Sequence, residues 1–205
     1  MIVVIDSLTG NLGSIINMLN KIGASAIISS NISDIEKADK LIMPGVGSFD
    51  SGMKNIHNQE LIPVLQNKVV INQTPILGIC LGMQMFTNGS EEGNLPGLGW
   101  LDAETVKFKL NNNQTIQTVP HMGWNTVKVI RESALFDDMY PEPRFYFVHS
   151  YHVVCHKDED VVTKTFHGYD FASAIQRGNI VGVQFHPEKS HKFGMKLLKN
   201  FVNSF

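Results

Sequence analysis

Hydrophobic positions follow two regimes along this chain. In the first half, short continuous apolar runs alternate with stretches at helical spacing. Residues 2–6 read as a buried strand, and residues 11–22 as a helix with Leu12, Ile15, Ile16, Leu19 and Ile22 on one face, stopped by Gly23. Ala26–Ser29 reads as a second strand, and 41–43 as a third that ends in Pro44-Gly45-Val46-Gly47. A helical stretch falls within 50–70, and a fourth strand over 76–79. Continuous apolar strands interleaved with helices predict a mostly parallel sheet covered on both faces. In the second half the period changes to two. Residues 105–109, 115–119, 125–130, 145–148, Val161–Phe166, 172–176 and 181–185 are short and strand-like, and Asn111-Asn112-Asn113 and Arg177-Gly178-Asn179 read as turns between paired strands. A last helix covers 191–201. The expected fold is a single α/β domain spanning 1–205, with a mostly parallel central sheet flanked by helices and antiparallel additions in its later half.

Composition narrows the classes. A hydrophobic content of 43% and charged content of 18% describe an ordinary globular protein, and a net charge of −2 offers no electrostatic footprint for nucleic acid or an anionic membrane. Met1-Ile2-Val3-Val4-Ile5-Asp6 has no basic stretch before its apolar run, so it reads as a first strand and not a signal peptide. No apolar run approaches the roughly 20 residues of a bilayer span. The two cysteines, Cys80 and Cys155, lie in dissimilar contexts, which points to a reduced compartment and a cytoplasmic enzyme.

Cys80 is the residue with the strongest chemical signal. Pro75-Ile76-Leu77-Gly78-Ile79-Cys80-Leu81-Gly82-Met83-Gln84 is an apolar strand running into a helix, with a glycine two residues to either side of the thiol. Such a turn exposes the sulfur above unpaired helix N–H groups, which favour the reactive thiolate. His186-Pro187-Glu188 follows another apolar strand and offers a base with a carboxylate two residues on; in extended geometry both point to one side. Pro44-Gly45-Val46-Gly47 adds a flexible backbone that can aim an N–H at an oxyanion, beside the Leu81 N–H. Taken singly, each feature has a plainer reading: a small buried hydrophobe near a turn, a solvated strand end, a glycine-rich connection. Jointly they favour nucleophilic catalysis by Cys80 with His186 as base and Glu188 as its orienter. No cysteine or histidine spacing calls for a metal, and His149, His152 and His156 are too irregularly placed for a metal site. No cofactor is expected.

The cysteine and His-Pro-Glu segments resemble the class I, triad-type glutamine amidotransferases, whose fold is flavodoxin-like. Pro44-Gly45-Val46-Gly47, Pro120-His121-Met122-Gly123-Trp124-Asn125 and Tyr146-Phe147-Val148-His149-Ser150-Tyr151 narrow the resemblance to the glutaminase subunits of imidazole glycerol phosphate synthases, over essentially the whole chain. It implies a triad of Cys80, His186 and Glu188, with an oxyanion hole from Leu81 and the Gly45, Val46 and Gly47 backbone. Gln84, Glu92, His149, Ser150 and Tyr151 match substrate-holding positions. Val46 matches a strand residue that reorients when the synthase partner is loaded. Trp124 and Lys189 match residues facing that partner, and Tyr146 one near the ammonia exit. The implied partner is a (β/α)₈-barrel cyclase subunit in a heterodimer, and the implied product of the complex belongs to histidine biosynthesis.

One segment departs from the pattern. The family usually shows Asp-Tyr-Gly-x-Gly-Asn-Leu-Arg-Ser, whereas Asp6-Ser7-Leu8-Thr9-Gly10-Asn11-Leu12-Gly13-Ser14 lacks the tyrosine, one glycine and the arginine. Gly13 cannot replace the fork-shaped donor of an arginine. The departure bears on the partner more than on glutamine hydrolysis, and it keeps open a paralogous role in which the ammonia amidates a nucleotide sugar for surface polysaccharide. A stand-alone cysteine hydrolase and a non-catalytic binding domain are further alternatives.

Overall fold

The computed structural model describes residues 1–7, 11–110 and 117–205. Its helices are α1 (Leu12–Lys21), α2 (Ile32–Lys37), α3 (Phe49–Asn58), α4 (Leu61–Leu65, running on as a π-helical turn over Gln66–Ile71), α5 (Leu81–Gln84) and α6 (His191–Ser204). Its strands are β1 (Ile2–Ile5), β2 (Ala26–Ser29), β3 (Lys40–Gly45), β4 (Ile76–Cys80), β5 (Ala103–Lys107), β6 (His121–Thr126), β7 (Lys128–Val129), β8 (Arg144–His149), β9 (Tyr151–Cys155), β10 (Val161–Phe166), β11 (Asp170–Arg177) and β12 (Ile180–Val183).

The centre of the main sheet runs β2-β1-β3-β4-β12, all parallel. Beyond β12 the order continues antiparallel through β11, β10 and β7, while β9 bridges β11 to β5. β6 and β8 stand apart as a two-stranded antiparallel ribbon. The central strands are apolar on both faces because each face carries its own core. One unites Val3, Leu41, Met43, Phe49, Ile56, Leu65 and Phe86. The other unites Val4, Ile42, Leu77, Phe145, Phe147, Leu197 and Phe201 with Ile15 and Leu19 of α1. Successive β1 side chains alternate between them, as the period of a strand requires.

The β4–α5 turn is tightly packed. A Cβ on Gly82 would stand 1.8 Å from the Met43 carbonyl oxygen, and one on Gly78 would stand 2.5 Å from a Phe86 ring carbon. Between these glycines Cys80 adopts φ 54°, ψ −109°, a conformation few residues with a side chain tolerate.

The expected α/β class, parallel centre and antiparallel later half are present. Several elements differ in detail. The helical stretch within 50–70 is two helices, because Glu60 turns left-handed at φ 57°. α2 and β9 were not anticipated; α2 has only six residues, and β9 buries the adjacent His152 and Val153 while exposing Val154, without the alternation that marks a strand. The 125–130 strand is the end of β6, which begins at His121, and then β7; residues 117–119 are not strand. The Asn111-Asn112-Asn113 turn and the start of the 115–119 run lie outside the described residues.

The glycines of this chain therefore divide sharply. Gly82→Ala should lower stability by about 3 kcal/mol or more, since the clash is with backbone that cannot swing away. Gly13→Ala, in α1 with nothing within 4 Å of its added methyl group, should raise stability by up to about 1 kcal/mol. Urea midpoints at constant slope would check both, and a Gly82→Ala protein as stable as the parent would refute the packing account.

Candidate active site

Parallel pairing brings the sequence-distant groups together. β4 lies between β3 and β12, with Gly45 opposite Cys80 and Val183 opposite Ile79. Cys80 and the Gln184-Phe185-His186 segment thus emerge side by side at the carboxyl ends of adjacent strands, where open α/β sheets place their sites. His186 Nδ1 is 2.8 Å from Glu188 Oε1. Their convergence has a different cause from the strand alternation expected: Pro187–Lys189 is a 3₁₀ turn that folds the carboxylate back onto the imidazole. Ser190 fixes this turn, its hydroxyl donating to the His186 carbonyl at 2.6 Å and accepting from the Tyr146 N–H at 3.0 Å. His186 N–H in turn donates to the Tyr146 carbonyl at 2.9 Å.

Burial alone would hold the His186 pKa down, but the Cys80 sulfur and the Glu188 carboxylate outweigh it and push it up to about 10. His186 Nε2 has no hydrogen bond of normal geometry, yet hydrogen bonding and charge from the adjacent Cys80 sulfur both help to raise the imidazole pKa. Gln184 also reaches the thiol, with Nε2 at 3.6 Å from Sγ.

Cys80 opens onto a cavity of about 350 Å³ lined by Val46, Gly47, Cys80, Leu81, Gln84, Glu92, Pro120, Val148, His149, Ser150 and Tyr151. Nine of these eleven are residues singled out from the sequence. His186 and Glu188 lie behind the thiol, and Gly45 is packed against Leu81, so these three do not face the space. Gly47 sits at φ 101°, and Val46 beside it is 42% exposed. The backbone is anchored on both sides of them: Ser7 donates to the Pro44 carbonyl at 3.3 Å, and Glu92 accepts the Phe49 N–H at 2.8 Å. Asn11 accepts the Ser14 N–H at 3.4 Å, the helix cap its position predicts, while Gly13 is exposed.

Sequence reasoning missed Val148, Pro120 and Gln184 as site residues. Val148 and Pro120 were inside quoted motifs but carried no chemistry of their own. Gln184 was flanked by apolar residues, and a buried amide in such a run is a signal that was available. Gln184 Oε1 accepts from Gln84 Nε2 at 3.1 Å, and Gln84 Nε2 also donates to the Tyr151 carbonyl at 3.1 Å.

Trp124, Tyr146 and Lys189 do not line the cavity. They form a separate cluster on the outer face of the ribbon, with Trp124 and Tyr146 edge to face at 6.4 Å and Lys189 Nζ 5.7 Å from the Tyr146 ring. Trp124 is 46% exposed, which suits a docking residue better than a core aromatic.

Next to the cavity, His121, His149 and His152 are buried among Phe108, Phe147 and Phe171. Burial pushes the His121 pKa down to about 3, with His167 adding to the effect. Burial likewise holds His149 well below its ordinary value and lowers His152. Among the described residues no group of three or more His, Cys, Asp or Glu side chains is arranged to hold a metal. The Cys155 thiol is pushed up to about 12 by burial and by Asp160.

Comparison with known proteins agrees with this geometry. The family model of glutamine amidotransferase class-I matches residues 3–205. The imidazole glycerol phosphate synthase subunit HisH 2 of Methanococcus maripaludis is 55% identical over 202 residues, 98% of each chain. The protein of the same name from Pseudomonas aeruginosa is 48% identical over 202 residues, again 98% of each. Among solved structures, a glutamine amidotransferase from Thermotoga maritima superposes with a TM-score of 0.69 at 15% identity, covering 98% of this chain and 95% of the other. The glutaminase domain of Trypanosoma brucei CTPS with bound acivicin gives 0.64 at 15% identity, covering 100% and 94%. At those identities the structures speak for the fold alone.

The buried imidazoles set a stability profile. His186 is raised on folding, so its contribution is complete below about pH 6.5 and disappears as pH rises towards about 10. His121, His149 and His152 are lowered, so theirs are complete above about pH 6.5 and disappear as pH falls. Denaturation followed across pH should therefore show greatest stability near 6.5. Glu188→Gln should flatten the alkaline limb, and an alkaline limb that this change leaves untouched would contradict the assignment.

Proposed function

The chain belongs to the class-I glutamine amidotransferase family, and we propose that it is the glutaminase subunit of an imidazole glycerol phosphate synthase, hydrolysing L-glutamine and passing the ammonia to a separate subunit. The observation that carries this reading is a thiol on a strained strand-to-helix turn, open to a cavity in front and backed by a paired imidazole and carboxylate. In this reading the Cys80 thiolate attacks the side-chain amide carbon of glutamine. The Leu81 N–H and one from the Gly45–Val46–Gly47 backbone hold the tetrahedral oxyanion. His186 gives its proton to the departing nitrogen, ammonia leaves, and a glutamyl thioester remains. The imidazole then takes a proton from water, whose attack releases glutamate and restores the thiolate. Glu188 keeps the ring oriented and stabilises its charged form. Gln84, Glu92, His149, Ser150 and Tyr151 shape the glutamine cavity. No step calls for a metal or cofactor.

Ammonia in neutral water is mostly ammonium, which is not a nucleophile, so synthesis requires a shielded passage to the acceptor. The naming of its relatives as synthase subunits supports an acceptor site on a separate protein. In this reading that protein is a barrel cyclase that makes imidazole glycerol phosphate and AICAR, docked over Trp124, Tyr146 and Lys189 in a cytoplasmic heterodimer. Hydrolysis without the partner would waste glutamine, and a Val46 peptide turned away until docking prevents it. The exposed, unobstructed Gly13 favours a second reading, in which an altered contact surface serves a synthase that amidates a nucleotide sugar.

Cys80→Ala in the assembled complex should lower glutamine-dependent synthesis by about 10⁴-fold or more while added ammonium salts still support it. Equal loss of both activities would count against the division of labour. Co-purification with a barrel cyclase, as against a sugar-modifying enzyme, separates the two readings.

A further inference from the structure

The polar side chains around the cavity form one connected chain of hydrogen bonds that starts beside Trp124 and ends on the nucleophile. Asn125 Nδ2 donates to the Phe166 carbonyl at 2.9 Å and to His121 Nε2 at 3.1 Å. His121 Nδ1 meets His149 Nε2 at 2.9 Å, and His149 Nδ1 meets the Tyr151 carbonyl at 2.7 Å. That carbonyl also accepts from Gln84 Nε2, which donates on to Gln184 Oε1, and Gln184 Nε2 reaches Cys80 Sγ.

Its direction is fixed from both ends. The Asn125 amide is oriented by the Phe166 carbonyl on its nitrogen and by the Thr126 N–H on its oxygen at 2.8 Å, so it can only donate to His121 Nε2. The Tyr151 carbonyl can only accept, so His149 carries its hydrogen on Nδ1. Both rings are then neutral with Nδ1–H, and both nitrogens of each are used. His121 is 4% and His149 7% exposed, in aromatic surroundings that disfavour charge. Gln84 Nε2 likewise has both hydrogens engaged within the protein, so its amide nitrogen is not free to hold a substrate.

We infer that His121 and His149 are positioning residues for the thiol: a pair of neutral imidazoles that hold the Tyr151 carbonyl, and through Gln84 and Gln184 set the place of Cys80 Sγ against the cavity. Because His121 and Trp124 share β6, the same chain ties the position of the nucleophile to the ribbon face that the proposed function assigns to the partner. The inference rests on that function for its activity readout, and on the hydrogen-bond chain alone for its spectroscopic one.

The experiment compares His121→Phe, His149→Phe, the double variant and His149→Asn in the complete synthase. Phe keeps the ring volume, and Asn restores a donor where Nδ1 stood. Each Phe variant should lower kcat for glutamine hydrolysis by about tenfold with a smaller change in KM, and slow alkylation of Cys80 by a simple haloacetamide. Since either break severs one chain, the double variant should lose no more than a single one, and His149→Asn should recover most of the loss. Additive losses, no loss, or no recovery by Asn would overturn the inference. Should the Phe variants fail to fold, ¹⁵N NMR of the unaltered chain decides. Both imidazoles should show Nδ1–H neutral tautomers at pH 6, and alkylating Cys80 should move their nitrogen signals; other tautomers or unmoved signals would refute it. A wild-type synthase without glutaminase activity would instead refute the proposed function and leave the spectroscopic test standing.

Discussion

The contact between the Gly82 α-carbon and the Met43 carbonyl is the constraint on which the site depends. It lets α5 sit directly against β3, which forces the chain to reverse within one residue after β4 and leaves Cys80 at φ 54°. A non-glycine residue in such a conformation costs on the order of 1–3 kcal/mol. Full burial of Leu81, Met83, Met85 and Phe86 immediately after it offsets that cost, because those side chains drive the turn into the core. The same contact sets Leu81 beside Gly45, so the two backbone segments that border the cavity cannot drift apart. Strain at the thiol and order in the cavity wall are one arrangement.

Around this point the polar groups sort into two kinds. Those of the wall satisfy each other: the glutamines, the Tyr151 carbonyl and the neutral histidines form closed hydrogen-bond relations in an apolar, aromatic setting. Those of the triad do not. Of four buried side-chain atoms lacking a partner among the described residues, two are His186 Nε2 and Glu188 Oε2. Buried polar atoms are rarely left unpaired, and where they are the group is poised to take a partner from elsewhere. Two such atoms on neighbouring side chains behind the Cys80 thiol suit proton transfer in the proposed reaction.

How much of this could be read from the sequence varied with the range of the interaction concerned. The parallel centre was legible because its strands are continuous apolar runs, unbroken in β1, β4 and β12, and the turn after β4 because two glycines bracket a cysteine. The meeting of His186 with Glu188 could be expected but its geometry was misread: alternation in an extended strand was expected to align them, whereas a 3₁₀ turn does so. Both arrangements suit a proline between them, so local sequence could not choose. α2 and β9 escaped notice because their identity is conferred by neighbours, α2 by packing of Ile35 and β9 by pairing with β5 and β11. The histidine chain was the least legible feature. His121, His149 and Gln184 are scattered over more than sixty positions, and only the meeting of β6 with β8, and of β4 with β12, makes them one network.

The anchoring pattern also limits what docking can change. Pro44 is held by Ser7, and Phe49 by Glu92, so the backbone bordering the thiol is fixed on both sides of a stretch only four residues long. Within that stretch Val46 is exposed and Gly47 already has a positive φ, so neither side chain nor Ramachandran limits resist rotation of the peptide between them. In the proposed function, switching the oxyanion donor then needs one local peptide rotation, without movement of α3, β3, His186 or Glu188. A partner docked as proposed on the Trp124–Tyr146–Lys189 face could bias so small a change, because β8 carries Tyr146 in that cluster and Val148 at the cavity, two residues apart on the same side of one strand.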